Sequence, residues 1–267
     1  MPHTRLPNPP LQLADLERTL VGLSESRPIA GDGCEGSRFY DGAKNAIDRV
    51  SGIALLVISS PIIVACWILV KLTTSGPGFY SQARVGHRGK QFRIRKIRTM
   101  YHKVEELQGG AKWSWKGDPR VTSVGSILRK LHIDELPQLI NVIRGEMSLV
   151  GPRPERPEFV APLSDELLGY TDRLAVRPGV TGLAQIQLPA DSDMQSVARK
   201  LSADLEYIRL RGFWLDFRLL FGTAIYLTGA SYAIVRKMAM LPACEQPTDI
   251  PSSIREIEPI ARRIDHL

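Results

Sequence analysis

The chain of 267 residues is 43% hydrophobic and 24% charged, with a net charge of +7 and a pI near 9.4. This composition excludes a wholly disordered chain and allows one well-buried domain with appendages. The basic balance points to an anionic partner: nucleic acid, phospholipid or a phosphorylated small molecule.

Residues 1–42 read as a flexible tail broken by "PNPP" and "GDGCEGS", with room for a short amphipathic helix at "LADLERTL". The opening "MPHTRLPNPP" has no apolar core and is no secretory signal. Cys34, Cys66 and Cys244 lie far apart, without zinc or redox spacing, and read as free thiols of a reducing compartment. Between Arg49 and Lys71 run 21 uncharged residues, enough to cross a bilayer. Ser59-Ser60-Pro61 interrupts their centre, and basic residues flank both ends: Lys44 and Arg49 before, Lys71 and Arg84 onward after. The residues leave two arrangements open, a helix that bends at Ser60-Pro61 and returns, or a kinked spanning helix.

From Arg84 to Lys103 there are eight Lys and Arg residues and no acid. "KQFRIRKIRTM" reads as a strand with Phe92, Ile94, Lys96 and Arg98 on one face, an apolar face ending in two cations. That suits a strand entering an anion site, or a basic edge strand facing lipid headgroups. Residues 105–117 read as loop, in which the tryptophans of "KWSWKGD" could stack on a base or lie at a lipid interface. "DPRVTSVGSILRKL" is a turn and then a helix, with Ile127, Leu128 and Leu131 spaced for one buried face. Asp118 at its start is a candidate substrate ligand or a turn residue. "PQLINVIRGE" reads as a second helix with Pro137 in its first turn. "VGPRPERPEF" and "VRPGVTGLAQ" read as loops, followed by one long helical stretch from Val197. Leu219–Val235 carries no charge but is too polar for a confident span, so an interfacial or core helix is expected.

Asp134 and Glu135 stand side by side ahead of Pro137. Acids at a helix start are ordinary caps. Such a pair can also hold Mg²⁺ against a phosphate while one carboxylate attacks phosphorus. Arg153 in "GPRP" and Arg177 in "VRPG" sit in proline-fixed loops that suit presentation of a guanidinium to phosphate. His132 is a candidate acid or base, or a packed or surface histidine.

Taken together, "SSP", "GPGFYSQARVGHRGKQFRIRKIRTM", "DPRVTSVGSILRKLHIDELPQLINVIRGEMSLVGPRP" and "VRPGVTGLAQ", with "DLEYI" and "LDFRLL" downstream, resemble the bacterial sugar transferase family, the monotopic polyprenyl-phosphate phosphoglycosyl transferases. The match covers roughly residues 44–230. With about 45 residues ahead of the membrane segment, the expectation is the small form without an N-terminal multi-spanning domain.

The resemblance implies an α+β, mostly helical fold: a monotopic membrane protein with a re-entrant helix-break-helix, a small β element and interfacial amphipathic helices. Its division is a tail over 1–42, a re-entrant membrane helix over 43–75 broken at Ser60 and Pro61, a catalytic domain at the membrane surface over 76–240, and a tail over 241–267. It implies transfer of a phosphosugar from a UDP-sugar to undecaprenyl phosphate with release of UMP, the first membrane step of exopolysaccharide or glycoconjugate synthesis. Asp134 matches the nucleophile, Glu135 its partner at the metal site, and Mg²⁺ the cofactor. Lys96, Arg98, Arg153 and Arg177 match cationic positions near the phosphates. The expected location is the bacterial inner membrane, with the catalytic domain on the cytoplasmic face and anionic lipid as a partner. A homodimer stays open. No nucleic acid is expected, because no DNA- or RNA-binding motif accompanies the basic run. A regulator that has lost catalysis, and a hydrolase of the nucleotide sugar, are the competing readings. "LAQIQLPADSD" departs from the family's usual text and leaves the sugar undetermined.

Overall fold

The computed structural model describes residues 35–104, 115, 117–189 and 193–244. The expected helix at "LADLERTL", Cys34, Trp113 and most of the C-terminal tail lie outside the described residues. Cys66 and Cys244 are free thiols.

The uncharged stretch forms the centre of α1, Glu35–Thr73, 39 residues and roughly 58 Å long at 1.5 Å per residue. It therefore begins inside the expected N-terminal tail. Asp48, Gly52, Ser59, Ile63 and Val70 mark one buried stripe along it, while Ile47, Val57, Ile58, Ile62 and Leu72 are exposed. The expected interruption at Ser60-Pro61 is not a break in secondary structure: α1 runs on through Pro61. Pro61 cannot donate to the carbonyl of Val57, and the Ser60 hydroxyl donates to that oxygen instead at 2.8 Å.

β1 (Phe79–Val85) and β2 (Gln91–Ile97) form an antiparallel hairpin with Phe79 opposite Ile97. Alternation holds on β2: Phe92 and Ile94 are buried, Arg93 and Arg95 exposed. Ile97, on the outer face, is also buried, against Ile63, Val70 and Leu128 beneath α1.

α2, Ser123–Lys130, is capped by the Thr122 hydroxyl, which accepts from the Gly125 amide. The expected buried face is corrected here: Leu128 is buried, but Ile127 and Leu131 are 60% and 51% exposed. The helix docks through Gly125, where a Cβ would lie 2.0 Å from the carbonyl oxygen of Thr99, and this close approach turns Ile127 and Leu131 outward. A 3₁₀ turn, Ile133–Gln138, leads into the short α3, Leu139–Ile143. Pro137 thus lies inside the 3₁₀ turn, and the expected second helix starts two residues after it.

The expected loop "VRPGVTGLAQ" contains a strand, and the expected loop "VGPRPERPEF" begins on the last residue of one and ends in a helix. β3, Ser148–Val150, pairs in parallel with β4, Gly179–Thr181. Gly151 and Gly179 meet there backbone to backbone, and a Cβ on Gly179 would lie 2.1 Å from the amide nitrogen of Gly151. This contact is why both motifs carry glycine at these positions. α4, Pro157–Glu166, and a 3₁₀ turn, Tyr170–Ala175, connect the strands. α5, Met194–Leu210, opens with a capping box between Asp193 and Ser196. The expected long helix then breaks at Arg211–Gly212, and α6 (Phe213–Leu227) and α7 (Tyr232–Met238) follow. Along Leu219–Val235, Leu219 and Val235 are fully buried while Leu220, Phe221, Leu227 and Ile234 are exposed, so one face is core and the other is not. The main core joins β2, α3, β3, α6 and α7, and Leu241 and Cys244 pack on it. The ordered body therefore extends past residue 240.

Candidate active site

Asp134 and Glu135 open the 3₁₀ turn, which His132 enters in the left-handed region with φ 55°. The tighter 3₁₀ winding turns successive side chains about 120° apart, so the two carboxylates face different partners. Glu135 takes Lys96 Nζ at 2.7 Å and Arg153 Nη2 at 2.6 Å. Asp134 is buried and has no hydrogen bond or ion pair among the described residues. Both line one cavity of about 1140 Å³ that also reaches Lys96, Arg129, Arg153 and Gln185.

The electrostatics separate the pair. Burial pushes the Asp134 carboxyl above an ordinary aspartate; Lys96 opposes that rise and the Glu135 charge adds to it. Burial alone would also raise Glu135, but Arg153 and Lys96 outweigh it and hold the carboxyl well below its ordinary value. Burial lowers Lys96, and Glu135 offsets part of this. One carboxylate is thus committed to two cations. The other stays open toward the cavity, within the field of Lys96, Arg129 and Arg153.

Arg153 projects from the segment after β3 and also donates to Gln185 Oε1 at 3.2 Å. Arg98 reaches the cavity wall, but its guanidinium caps the end of α1, donating to the carbonyls of Ser75 and Thr74 and to the Thr74 hydroxyl. Asp118 does not line the cavity. Its carboxylate binds Arg120 through Nε at 2.9 Å and Nη2 at 2.7 Å, with both side chains buried. Arg177 does not line it either, and its charge falls on His87. His132 lies at the cavity against the Tyr226 ring, with centroids 5.5 Å apart. Trp115 is exposed and lies under the Arg120 guanidinium, 5.0 Å from its centroid. Ser60 and Pro61 stay within α1.

Three of the proposed binding and catalytic residues therefore gather around Asp134, namely Glu135, Lys96 and Arg153. Arg129 and Gln185 join them from α2 and the turn after β4. Neither carried a local signal, because each reaches the cavity only through the packing of its element.

Among the described residues no three of His, Cys, Asp or Glu cluster closely enough to cage a metal ion. A hard cation such as Mg²⁺ takes one or two carboxylates and completes its shell with substrate phosphate and water. The open Asp134 fits that mode, not an all-protein cage; both oxygens of Glu135 already accept from Lys96 or Arg153.

The family profile described as "Bacterial sugar transferase" matches residues 39–229. The chain is 40% identical over 187 residues to the "UDP-N-acetylgalactosamine-undecaprenyl-phosphate N-acetylgalactosaminephosphotransferase" of Aeromonas hydrophila, covering 70% of this chain and 44% of that protein. It is 38% identical over 182 residues to the "UDP-glucose:undecaprenyl-phosphate glucose-1-phosphate transferase" of Caulobacter vibrioides, covering 67% of each. It is 39% identical over 210 residues to the "Exopolysaccharide production protein ExoY" of Rhizobium meliloti, covering 71% of this chain and 88% of that protein. The match thus spans less than half of the Aeromonas relative, and 35% of the "Undecaprenyl-phosphate glucose phosphotransferase" of Komagataeibacter xylinus.

Proposed function

Because the chain belongs to the bacterial sugar transferase family, we propose that it transfers a sugar phosphate from a UDP-sugar to undecaprenyl phosphate, in exopolysaccharide or glycoconjugate synthesis. The observation that carries this is the asymmetric pair. Asp134 is buried at the cavity wall and uncommitted among the described residues, while Glu135 is held by Lys96 and Arg153.

In the first step an Asp134 carboxylate oxygen attacks the phosphorus attached to the sugar. The phosphorus–oxygen bond to the other phosphate breaks, and UMP leaves with that oxygen. In the second step a phosphate oxygen of undecaprenyl phosphate attacks the aspartyl phosphosugar, the lipid diphosphate-sugar forms, and the carboxylate is regenerated. A carboxylate approaching a diphosphate meets like charge. Lys96, Arg129 and Arg153 offset that repulsion where charge develops on the leaving group. Glu135 keeps Lys96 and Arg153 in place. Mg²⁺, held by Asp134 and the donor's phosphates, would add neutralisation of the diphosphate.

The reading places the domain on the cytoplasmic face of the bacterial inner membrane, with α1 entering and returning by a bend at Pro61, where the helix ladder lacks one donor. Both ends of α1 rest on the same domain: Tyr40 and Lys44 bind Asp216, and Thr74, just past its last residue, binds Arg98. A helix that crossed the bilayer would carry these ends to opposite sides.

The test is UMP release from protein in lipid particles with Mg²⁺, undecaprenyl phosphate, and UDP-glucose, UDP-galactose, UDP-N-acetylglucosamine or UDP-N-acetylgalactosamine. Release with one donor is expected, dependent on lipid and reduced by about a thousandfold or more in Asp134→Asn. An active Asn variant would remove Asp134 as nucleophile. Release without lipid would make the protein a hydrolase.

A further inference from the structure

"DLEYI" and the segment ahead of "RPG" take no direct part in the chemistry above, yet they converge on its arginine. Arg173 Nη2 donates to the backbone carbonyl of Arg153 at 2.9 Å and to Asp204 Oδ2 at 2.6 Å. Its Nη1 donates to the Tyr170 hydroxyl at 2.8 Å, and its guanidinium lies over the Tyr170 ring, 5.1 Å from the centroid. The Arg173 and Asp204 side chains are 11% and 3% exposed. One turn further along α5, the Tyr207 hydroxyl lies 3.1 Å from the carbonyl of Val150, its single proton shared with the nearer Asp216 Oδ1 at 2.9 Å. Asp204 thus reaches the carbonyl beyond Gly151-Pro152 through Arg173, and Tyr207, three residues on along the same helix face, lies against the carbonyl before it. Pro152 and Pro154 fix the backbone dihedrals on either side of Arg153. The guanidinium that grips Glu135 and Gln185 is thus aimed by a backbone held at its base.

We propose that Arg173, held by Asp204, is a positioning residue that fixes the backbone of Arg153 and so the cationic wall facing Asp134. It acts through Arg153. Its two terminal nitrogens are engaged by Arg153, Asp204 and Tyr170, and its charge is met by Asp204. The kinetic test below rests on the transferase reading; the exchange test does not.

Arg173→Lys keeps the charge opposite Asp204, but a point-like ammonium cannot reproduce the fork that reaches Asp204, Tyr170 and the Arg153 carbonyl together. With whichever UDP-sugar of the panel above supports turnover, kcat/KM for the donor should fall about tenfold in Arg173→Lys. In an Arg153→Ala background the same change should cost less than about twofold, because the group it positions is gone. Equal losses in both backgrounds would overturn the proposal and leave Arg173 as general support for the fold. Hydrogen exchange gives the second measurement. The Gly151 amide, bonded to the Thr181 carbonyl at 2.9 Å, should exchange about tenfold faster in Arg173→Lys, with α1 unchanged. Unchanged exchange at Gly151 would refute the proposal whether or not turnover is measurable. Absence of UMP release from the unmodified protein would defeat the transferase reading and leave exchange to decide this one.

Discussion

Lys96 serves two neighbouring carboxylates in different ways. It pairs with Glu135 at 2.7 Å and acts on Asp134 through space. Its positive charge lowers both carboxyls, so its removal raises both. A nucleophilic carboxylate loses activity as the pH falls through its pKa. Lys96→Met should therefore move the acid limb of the kcat/KM profile for UMP release to higher pH and cost at least about tenfold at neutral pH. An unmoved acid limb would show that Lys96 does not act on the reacting carboxylate. Asp134 also bears on stability. Its folded-state carboxyl is raised by burial, so the stability it contributes is present at low pH and is lost as the pH rises through that pKa. Asp134→Asn removes the buried charge while keeping the shape. Its Tm should exceed that of the unmodified protein at pH 8, with the gain vanishing in acid, as differential scanning fluorimetry across pH would report.

At the scale of elements, α1 is joined to the catalytic body by buried polar contacts as well as by its apolar stripe. Asp216 on α6 accepts from Tyr40 at 2.8 Å, Lys44 at 2.6 Å and Tyr207 at 2.9 Å. Nearby, Ser148 on β3 donates to Asp48 at 2.6 Å. Removing one partner from such a cluster leaves the others buried and unpaired, which costs about 3 kcal/mol or more. Asp216→Ala should lower the thermal midpoint in lipid particles well beyond the effect of an exposed change such as Asp165→Ala. Equal midpoints would mean that α1 is held by apolar packing alone. The "LDFRLL" text thereby gains a physical role: its acid anchors α1.

Across the whole molecule, apolar surface is concentrated where a lipid boundary would cover it. α1 exposes Val57, Ile58, Ile62 and Leu72. α6 begins beside its N-terminal end, with the Phe213 ring 5.0 Å from that of Tyr40, and exposes Trp214 and Phe217 as a stacked pair. Exposed apolar side chains gathered in this way mark an interaction face. The double variant Trp214→Glu/Phe217→Glu should retain the fold and bind liposomes more weakly in flotation, while α1 keeps it membrane-associated. Undiminished flotation would remove α6 from the membrane contact.

Much of the site was legible in the linear text because its chemistry is local. Adjacent acids, a strand whose alternation ends in Lys96, and an arginine between two prolines are each readable from their neighbours. Continuity of charge-free residues marked the centre of α1, but not its charged first turns from Glu35 to Arg49 nor its continuation through Pro61. The contributions of Arg129, Gln185 and Arg173 were not legible, because each depends on where its element docks. The outward turn of Ile127 and Leu131 follows from one backbone contact at Gly125, which no periodicity encodes. Arg98 and Asp118 have the residue types of phosphate and metal ligands, yet the fold uses one to cap a helix and the other to neutralise Arg120. Sequence alone determined which chemical groups the protein carries and which segments are apolar. Tertiary structure decided which of those groups face one cavity and which satisfy one another, because a buried charge must find a partner in space and residue order does not say which one it meets.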